Sequence, residues 1–426
     1  MQSLQDKDKR YIWHPYTSLL SPVVPIPVAK GEGVYLVDEA GNRYIDAVSS
    51  WWVTIHGHAH PYIARKLYEQ AMQLEQVIFT QFTHRPAVEL AERLISLLPA
   101  GFSKVFYSDN GSTAVEVGVK MALQYWWNKQ PSPEQPPQRN KIIAFNKSYH
   151  GDTFGTMSLS DRSVFTLAFR DKLFEVIFID VPDAENTQAV QQTMIDQSAQ
   201  VAAFIYEPLL QGAGGMNVYQ ADLLDQLLVT CREHDIICIA DEVMTGFGRT
   251  GSLFASEQVP TKPDIICLSK GLTGGTMALG VTACTEKITA AFQTTDRLKT
   301  FFHGHSFTAN PLACAASLAS LDLFTTEQTL EKVQRIANQH LSFAQKIKKH
   351  PAVKNIRTIG TILAFEYNSE SNNYLNNIGQ HITAFMLERN IYLRPLGNTV
   401  YIMPPYCITE EELERVYGAV EEYLEP

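Results

Sequence analysis

Two apolar periods alternate along most of this chain. Short runs such as Ile142-Ile143-Ala144-Phe145, Val176-Ile177-Phe178-Ile179, Ala202-Ala203-Phe204-Ile205-Tyr206, Ile236-Ile237-Cys238-Ile239-Ala240 and Ile265-Ile266-Cys267-Leu268 carry no polar interruption. Their length and β-branched content are those of strands covered on both faces. Between and around them the apolar positions recur at helical spacing. Residues 86–98 place Val88, Leu90, Ala91, Leu94, Ile95 and Leu98 on one face, and further helices are predicted over 115–127, 223–234 and 312–324. The alternation predicts an α/β domain with a mainly parallel sheet. In such sheets ligands gather at the carboxyl ends of the strands.

The two ends of the chain follow other patterns. Residues 11–60 are aromatic and irregular, with prolines at 15, 22, 25 and 27, and then a hairpin of 33–38 and 42–47 about Glu39-Ala40-Gly41. Residues 326–426 mix helices over 330–350 and 378–388 with strands over 362–366 and 399–403, which suits a smaller α+β domain. The division expected is therefore 1–60, an N-terminal segment packing with the small domain and the site; 61–325, the large domain; and 326–426, the small domain. A proline-rich surface loop spans 130–138.

Composition narrows the function. With 426 residues and 45% apolar content the chain can bury a large core. A formal charge of −10 without a Lys/Arg block argues against a nucleic-acid partner, which requires clustered positive charge. The six cysteines are dispersed and form no CxxC pair, as expected of reduced thiols in a cytoplasmic protein. The polar N-terminus lacks the apolar centre of a signal peptide, and no apolar run reaches the ~20 residues of a membrane span. His56, His58 and His60 alternate without an accompanying Cys or carboxylate set, so no metal is expected there.

The residues that follow the apolar runs carry the chemistry. Lys270 stands between an apolar run and the glycine-rich Gly271-Leu272-Thr273-Gly274-Gly275. Alone it reads as a surface lysine. At the end of a buried strand it is instead a desolvated, nucleophilic amine. Gly111 and Ser112 lie between a strand and a helix N-terminus, where unpaired N–H groups can cradle a phosphate. Tyr149 offers an aromatic face and Asp241 an anion, each just after an apolar strand. Pyridoxal 5′-phosphate uses all four: a phosphate, a flat ring, a pyridine nitrogen kept protonated beside a carboxylate, and an aldehyde that condenses with an amine.

The stretches Asn110-Gly111-Ser112, Tyr149-His150-Gly151, Asp241-Glu242-Val243-Met244-Thr245-Gly246-Phe247-Gly248-Arg249-Thr250-Gly251, Ser269-Lys270-Gly271 and His303-Gly304-His305-Ser306-Phe307 resemble, in order, the motifs of the class III aminotransferases. The resemblance implies the type I fold of pyridoxal-phosphate enzymes, with a mainly parallel seven-stranded sheet and a small α+β domain built from both ends of the chain. It implies that Ser112 and neighbouring backbone, including Gly111, bind the cofactor phosphate, that Tyr149 stacks on the ring, that Asp241 pairs with the ring nitrogen, and that Lys270 is the Schiff-base residue and proton shuttle. Gly304 and Ser306 would reach the cofactor phosphate of a second subunit, which implies a homodimer.

Further likeness in Trp13-His14-Pro15-Tyr16-Thr17, Ser49-Ser50-Trp51-Trp52 and Leu393-Arg394-Pro395-Leu396-Gly397 is to the branch of the class that aminates 8-amino-7-oxononanoate in biotin synthesis. It implies that Tyr16, Trp51 and Trp52 line the substrate site, that Arg394 holds the substrate carboxylate, and that S-adenosylmethionine is the amino donor, with lysine the alternative. Asp152 is read as orienting Tyr149 or meeting a donor amine, and Arg249 as bracing the loop after Asp241. The chain departs from the family pattern at Met244, where relatives acting on ornithine have Gln, and at His305 and Ser306, where some members have Pro and Thr. Two other readings are an ω-amino-acid or diamine transaminase and a non-catalytic protein that senses pyridoxal phosphate. Intact Lys270 and Asp241 weigh against the second.

Overall fold

A computed structural model describes residues 2–130, 137–368 and 377–425. The centre of the proline-rich loop, 131–136, lies outside the described residues. The apolar runs form a seven-stranded sheet in the order Phe102–Ser108, Gly280–Thr285, Ile265–Leu268, Ile237–Asp241, Val201–Tyr206, Lys141–Phe145 and Val176–Ile179. Gly280–Thr285 runs antiparallel to both its neighbours, and the other pairings are parallel. Both faces are covered, as uninterrupted apolar strands require. On one, Ala114, Val115 and Val117 of the helix Gly111–Asn128 pack against Ile142, Ile205, Ile239 and Ile265. On the other, Leu90 and Leu94 of Arg85–Leu97 and Leu224 and Leu227 of Ala221–Glu233 join Phe204, Tyr206 and Leu268.

The ends of the chain meet in one small sheet. Tyr35–Asp38 and Arg43–Asp46 form the expected antiparallel hairpin, and Arg43–Asp46 then pairs in parallel with Ile391–Tyr392. The remaining strands of the C-terminal region, Val353–Ile359, Ile362–Tyr367 and Thr399–Ile402, form an antiparallel sheet under the helices Thr329–Ile347 and Glu410–Leu424. Among the described residues no helix is long and apolar enough to cross a membrane.

Two differences from the sequence reading bear on the site. The helix expected over 115–127 begins at Gly111, because the Asn110 side chain accepts from the Thr113 amide at 3.0 Å and caps it. Glu116 is thus beyond the first turn, and its carboxylate accepts from Thr153 Oγ1 at 2.6 Å and the Gly155 amide at 2.8 Å. It thereby ties the loop after Tyr149 to the helix. The strand Gly280–Thr285 was not anticipated, since Gly-Val-Thr-Ala-Cys-Thr shows neither period clearly.

Candidate active site

The parallel strands end on a cavity of about 650 Å³. It is lined by Tyr16, Trp51, Trp52, Gly111, Ser112, Tyr149, Asp241, Lys270 and Arg394, residues spread over almost the whole sequence. Gly304 and Ser306 are not among them. They line a separate open depression beside Phe79 and Tyr107, where the Ser306 carbonyl accepts from Gln76 Nε2.

Asp241 closes its strand with a buried side chain. Its Oδ2 accepts from His150 Nδ1 at 2.7 Å and its Oδ1 from the Val243 amide at 3.1 Å. His150 is buried, and its Nε2 has no hydrogen-bond partner among the described residues. Lys270 begins the turn after Leu268 with a φ of 47°, a left-handed value that a non-glycine residue adopts only when its surroundings hold it. Its Nζ lies 4.8 Å from the centre of the Trp52 ring. It keeps a partly exposed surface, presented to the cavity, yet dense protein around it pulls the amine down from 10.5 to about 8. Burial is the main cause, opposed by Asp241 and Glu207.

At the start of the Gly111–Asn128 helix, Asn110 takes the amides of Thr113 and Ala114. Those of Gly111 and Ser112 find no acceptor among the described residues, which leaves two donors at the positive end of an 18-residue helix. Gly151 crosses directly over Ser112 with a φ of 130°, and a Cβ there would run into Ser112 Oγ. Glycine alone permits that approach.

A phenol-carboxylate group forms one wall. Tyr149 OH donates to Asp152 Oδ2 at 3.0 Å, Tyr16 OH donates to the same oxygen, and the two phenol oxygens are 3.2 Å apart. Burial and the hydrogen bond with Tyr16 push the Tyr149 phenol above its ordinary range, so it remains a neutral donor. Tyr16 meets Trp51 edge to face at 5.4 Å, and Arg394 lies over the Trp51 ring at 4.7 Å.

Trp51 and Trp52 are carried by an unusual backbone. Ser49, Ser50, Trp51 and Trp52 have φ values of 50°, 45°, 69° and 75°. The amides of Trp52 and Val53 donate to the carbonyls four residues back, at 3.0 and 2.9 Å. These residues therefore form one turn of left-handed helix. For L-residues that costs about 1–2 kcal/mol each, on the order of 4–8 kcal/mol in all, which the surroundings must offset.

Residues 18–424 match the family described as aminotransferase class-III. The chain belongs to the class III aminotransferases. An adenosylmethionine-8-amino-7-oxononanoate aminotransferase of Synechococcus elongatus is 44% identical, with 97% of this chain and 98% of the relative aligned. That of Helicobacter pylori is 36% identical over 100% of this chain and 98% of its own. The crystal structure of the enzyme of that name from Methanocaldococcus jannaschii has a TM-score of 0.93 at 34% identity, covering 98% of each chain. An omega transaminase from Pseudomonas jessenii in complex with PMP has a TM-score of 0.91 at 28% identity, covering 99% of this chain and 98% of that one.

Three residues of this aminotransferase gained no role, or only a minor one, from sequence reasoning, although each stood inside or directly after a stretch singled out there. His150 is the partner of Asp241. Glu207, which follows the run Ala202-Ala203-Phe204-Ile205-Tyr206, lines the cavity and accepts the amides of Tyr149 and Gly212 at 3.1 and 2.9 Å. Burial pushes its acid up to about 7, against the pull of His150. Arg249, 1% exposed, donates to the carbonyls of Pro404, Trp52 and Thr54 at 3.0, 3.4 and 3.3 Å, the bracing role read for it. The alternate histidines go to separate partners: His56 to Ser320, His58 to Asp46 and His60 to Glu327. Met244 is buried against Gly212, whose Cβ would meet its sulfur at 2.6 Å.

Proposed function

We propose that this enzyme aminates 8-amino-7-oxononanoate to 7,8-diaminononanoate, with pyridoxal 5′-phosphate as cofactor and S-adenosylmethionine as amino donor. The observation that carries the chemistry is a lysine amine lowered to about 8 in one cavity with the Asp241–His150 pair. The choice of substrate rests on the names of the relatives, the first of them 44% identical over nearly the full length.

The residues present fit the cofactor. Two unpartnered amides at Gly111 and Ser112 suit its phosphate, the Asp241 carboxylate suits a protonated pyridine nitrogen, and Lys270 suits its aldehyde. When bound, pyridoxal 5′-phosphate supplies a carbonyl that takes up the amino group and a ring that accepts electrons. Lys270 would hold the cofactor's aldehyde and carry the proton at Nζ, for which an amine near 8 is well matched to neutral pH. His150 holds Asp241 through its Nδ1, and Tyr149 would offer its aromatic face to the ring. Trp51, Trp52 and Tyr16 wall the long apolar chain of the oxo acid, and Arg394 takes its carboxylate.

Gly304 and Ser306 lie outside the cavity of their own chain, so in this reading they serve a partner's cofactor phosphate in a homodimer. The division at 1–60, 61–325 and 326–426 belongs to the same proposal, supported by the pairing of Ile45 with Ile391. So does a cytoplasmic location, supported by six unpaired cysteines, five of them buried.

The test supplies 8-amino-7-oxononanoate with S-adenosylmethionine or with lysine and detects diaminononanoate by mass. Product with the first donor alone is expected. Product only with lysine replaces the donor, and none with either overturns the substrate. Turnover of pyruvate instead identifies an ω-amino-acid transaminase.

A further inference from the structure

The left-handed turn needs an anchor, and one buried carboxylate supplies it. Asp46 is 0% exposed. Its Oδ2 accepts from Ser50 Oγ at 2.7 Å and from His58 Nε2 at 2.9 Å, and its Oδ1 from the Val48 amide at 3.3 Å. Ser50 lies inside the turn and His58 beyond it, so the carboxylate clamps the turn from both sides. Asp46, Val48 and His58 lie outside the cavity, whose wall Ser50 joins beside Trp51.

The two tryptophans depend on this clamp unequally. Trp52 is 5% exposed and has its own anchor, donating from Nε1 to Tyr401 OH at 3.0 Å. Trp51 is 39% exposed and is met by Tyr16 in an edge-to-face contact and by Arg394 over its ring. The segment that leads to Arg394 hangs from the same strand end: Asp46 pairs with Tyr392, and the Ala47 amide donates to the Tyr392 carbonyl at 3.0 Å. Both partners of the Trp51–Arg394 stack are therefore suspended from Asp46 and its neighbour.

We infer that Asp46 is a positioning residue for recognition of the substrate carboxylate: through Ser50 it holds the left-handed turn that lays Trp51 against Arg394. This rests on the assignment of Arg394 to the oxo acid. Without the clamp, four L-residues relax toward negative φ and Trp51 leaves the guanidinium. Arg394 then loses the aromatic face that fixes its plane for a two-pronged grip on a carboxylate.

Paired variants at Ser50 test it. Ser50→Ala removes the hydroxyl and keeps the strain, whereas Ser50→Gly removes the hydroxyl and the strain together, since glycine takes positive φ freely. Ser50→Ala and Asp46→Asn are expected to raise KM for 8-amino-7-oxononanoate about tenfold and to change single-turnover reaction with the amino donor less than about twofold, because Trp52 and Lys270 keep their own supports. Ser50→Gly is expected to restore most of the loss. In the cofactor-free protein, near-UV circular dichroism should change in Ser50→Ala and stay close to wild type in Ser50→Gly.

Equal KM and equal spectra in wild type and Ser50→Ala overturn the inference. So does equal impairment of the two Ser50 variants, or a donor reaction that falls as far as the acceptor reaction. If the wild type leaves 8-amino-7-oxononanoate unconsumed, the substrate assignment fails, and the spectra of the cofactor-free variants still decide whether Asp46 holds the turn.

Discussion

Lys270 shows how much of a residue's chemistry is made by its surroundings. Its amine falls from 10.5 to about 8 because burial disfavours the ammonium more than Asp241 and Glu207 favour it. Between pH 8 and 10.5 the unfolded chain holds a proton that the native chain has released, so this site's contribution to stability rises with pH across that window. Below pH 8 the native protein carries the desolvated charge at full cost. Lys270→Met in the cofactor-free protein should therefore gain most over wild type at neutral pH, and the difference should shrink from pH 8 upward in denaturant melts. In the loaded enzyme, Lys270→Ala should abolish transamination and the visible absorbance that attachment of the cofactor to the lysine produces. Retention of that band would remove Lys270 from the chemistry.

At the scale of elements, two buried polar residues join segments that the sequence leaves far apart. His340, on the helix Thr329–Ile347, accepts at Nδ1 from Tyr417 OH at 2.7 Å and donates from Nε2 to the Thr361 carbonyl at 3.0 Å. Burial pulls its imidazole down from 6.5 to about 4. From pH 6.5 down to 4 the unfolded chain binds a proton that the native chain refuses, so stability falls as the pH falls, by up to about 1.4 kcal/mol per pH unit. His340→Gln should flatten that slope in pH-dependent melts. Arg249 joins the loops around Trp52, Thr54 and Pro404 through a planar fork that lysine lacks. Arg249→Lys should destabilise the protein by about 2–4 kcal/mol, since a buried cation keeps its desolvation cost and loses acceptors. The elements themselves were largely legible where one period dominates: Val176–Ile179 and Ile378–Glu388 match the sequence reading end to end. Glu410–Leu424 was missed although Thr409 and Glu412 form a capping box before it, a signal the sequence does contain.

On the scale of the whole molecule, Gly304 and Ser306 line a depression separate from the cavity that holds Lys270. In the proposed dimer each active site takes Lys270 from one protomer and Ser306 from its partner. Lys270→Ala and Ser306→Glu should each be inactive alone, and an equal mixture refolded together should recover about a quarter of wild-type activity, because half the dimers are mixed and each of those keeps one intact site. Absence of recovery would place Ser306 outside the partner's site.

The sequence by itself determined the α/β architecture and most of the cavity's membership, because strand runs buried on both faces are uniformly apolar and the residues that follow them stand at the ligand-binding edge. Lys270, Asp241, Tyr149 and Gly111 were legible for that reason. Tertiary structure alone decided what surrounds them. His150 meets Asp241 across 91 positions and Trp52 meets Tyr401 across 349, and no local pattern encodes contacts at such separations. The left-handed turn at Ser49–Trp52 was illegible for a further reason: nothing in Ser-Ser-Trp-Trp favours positive φ. That conformation exists because Asp46, Met403 and Tyr401, gathered from both ends of the chain, hold it there.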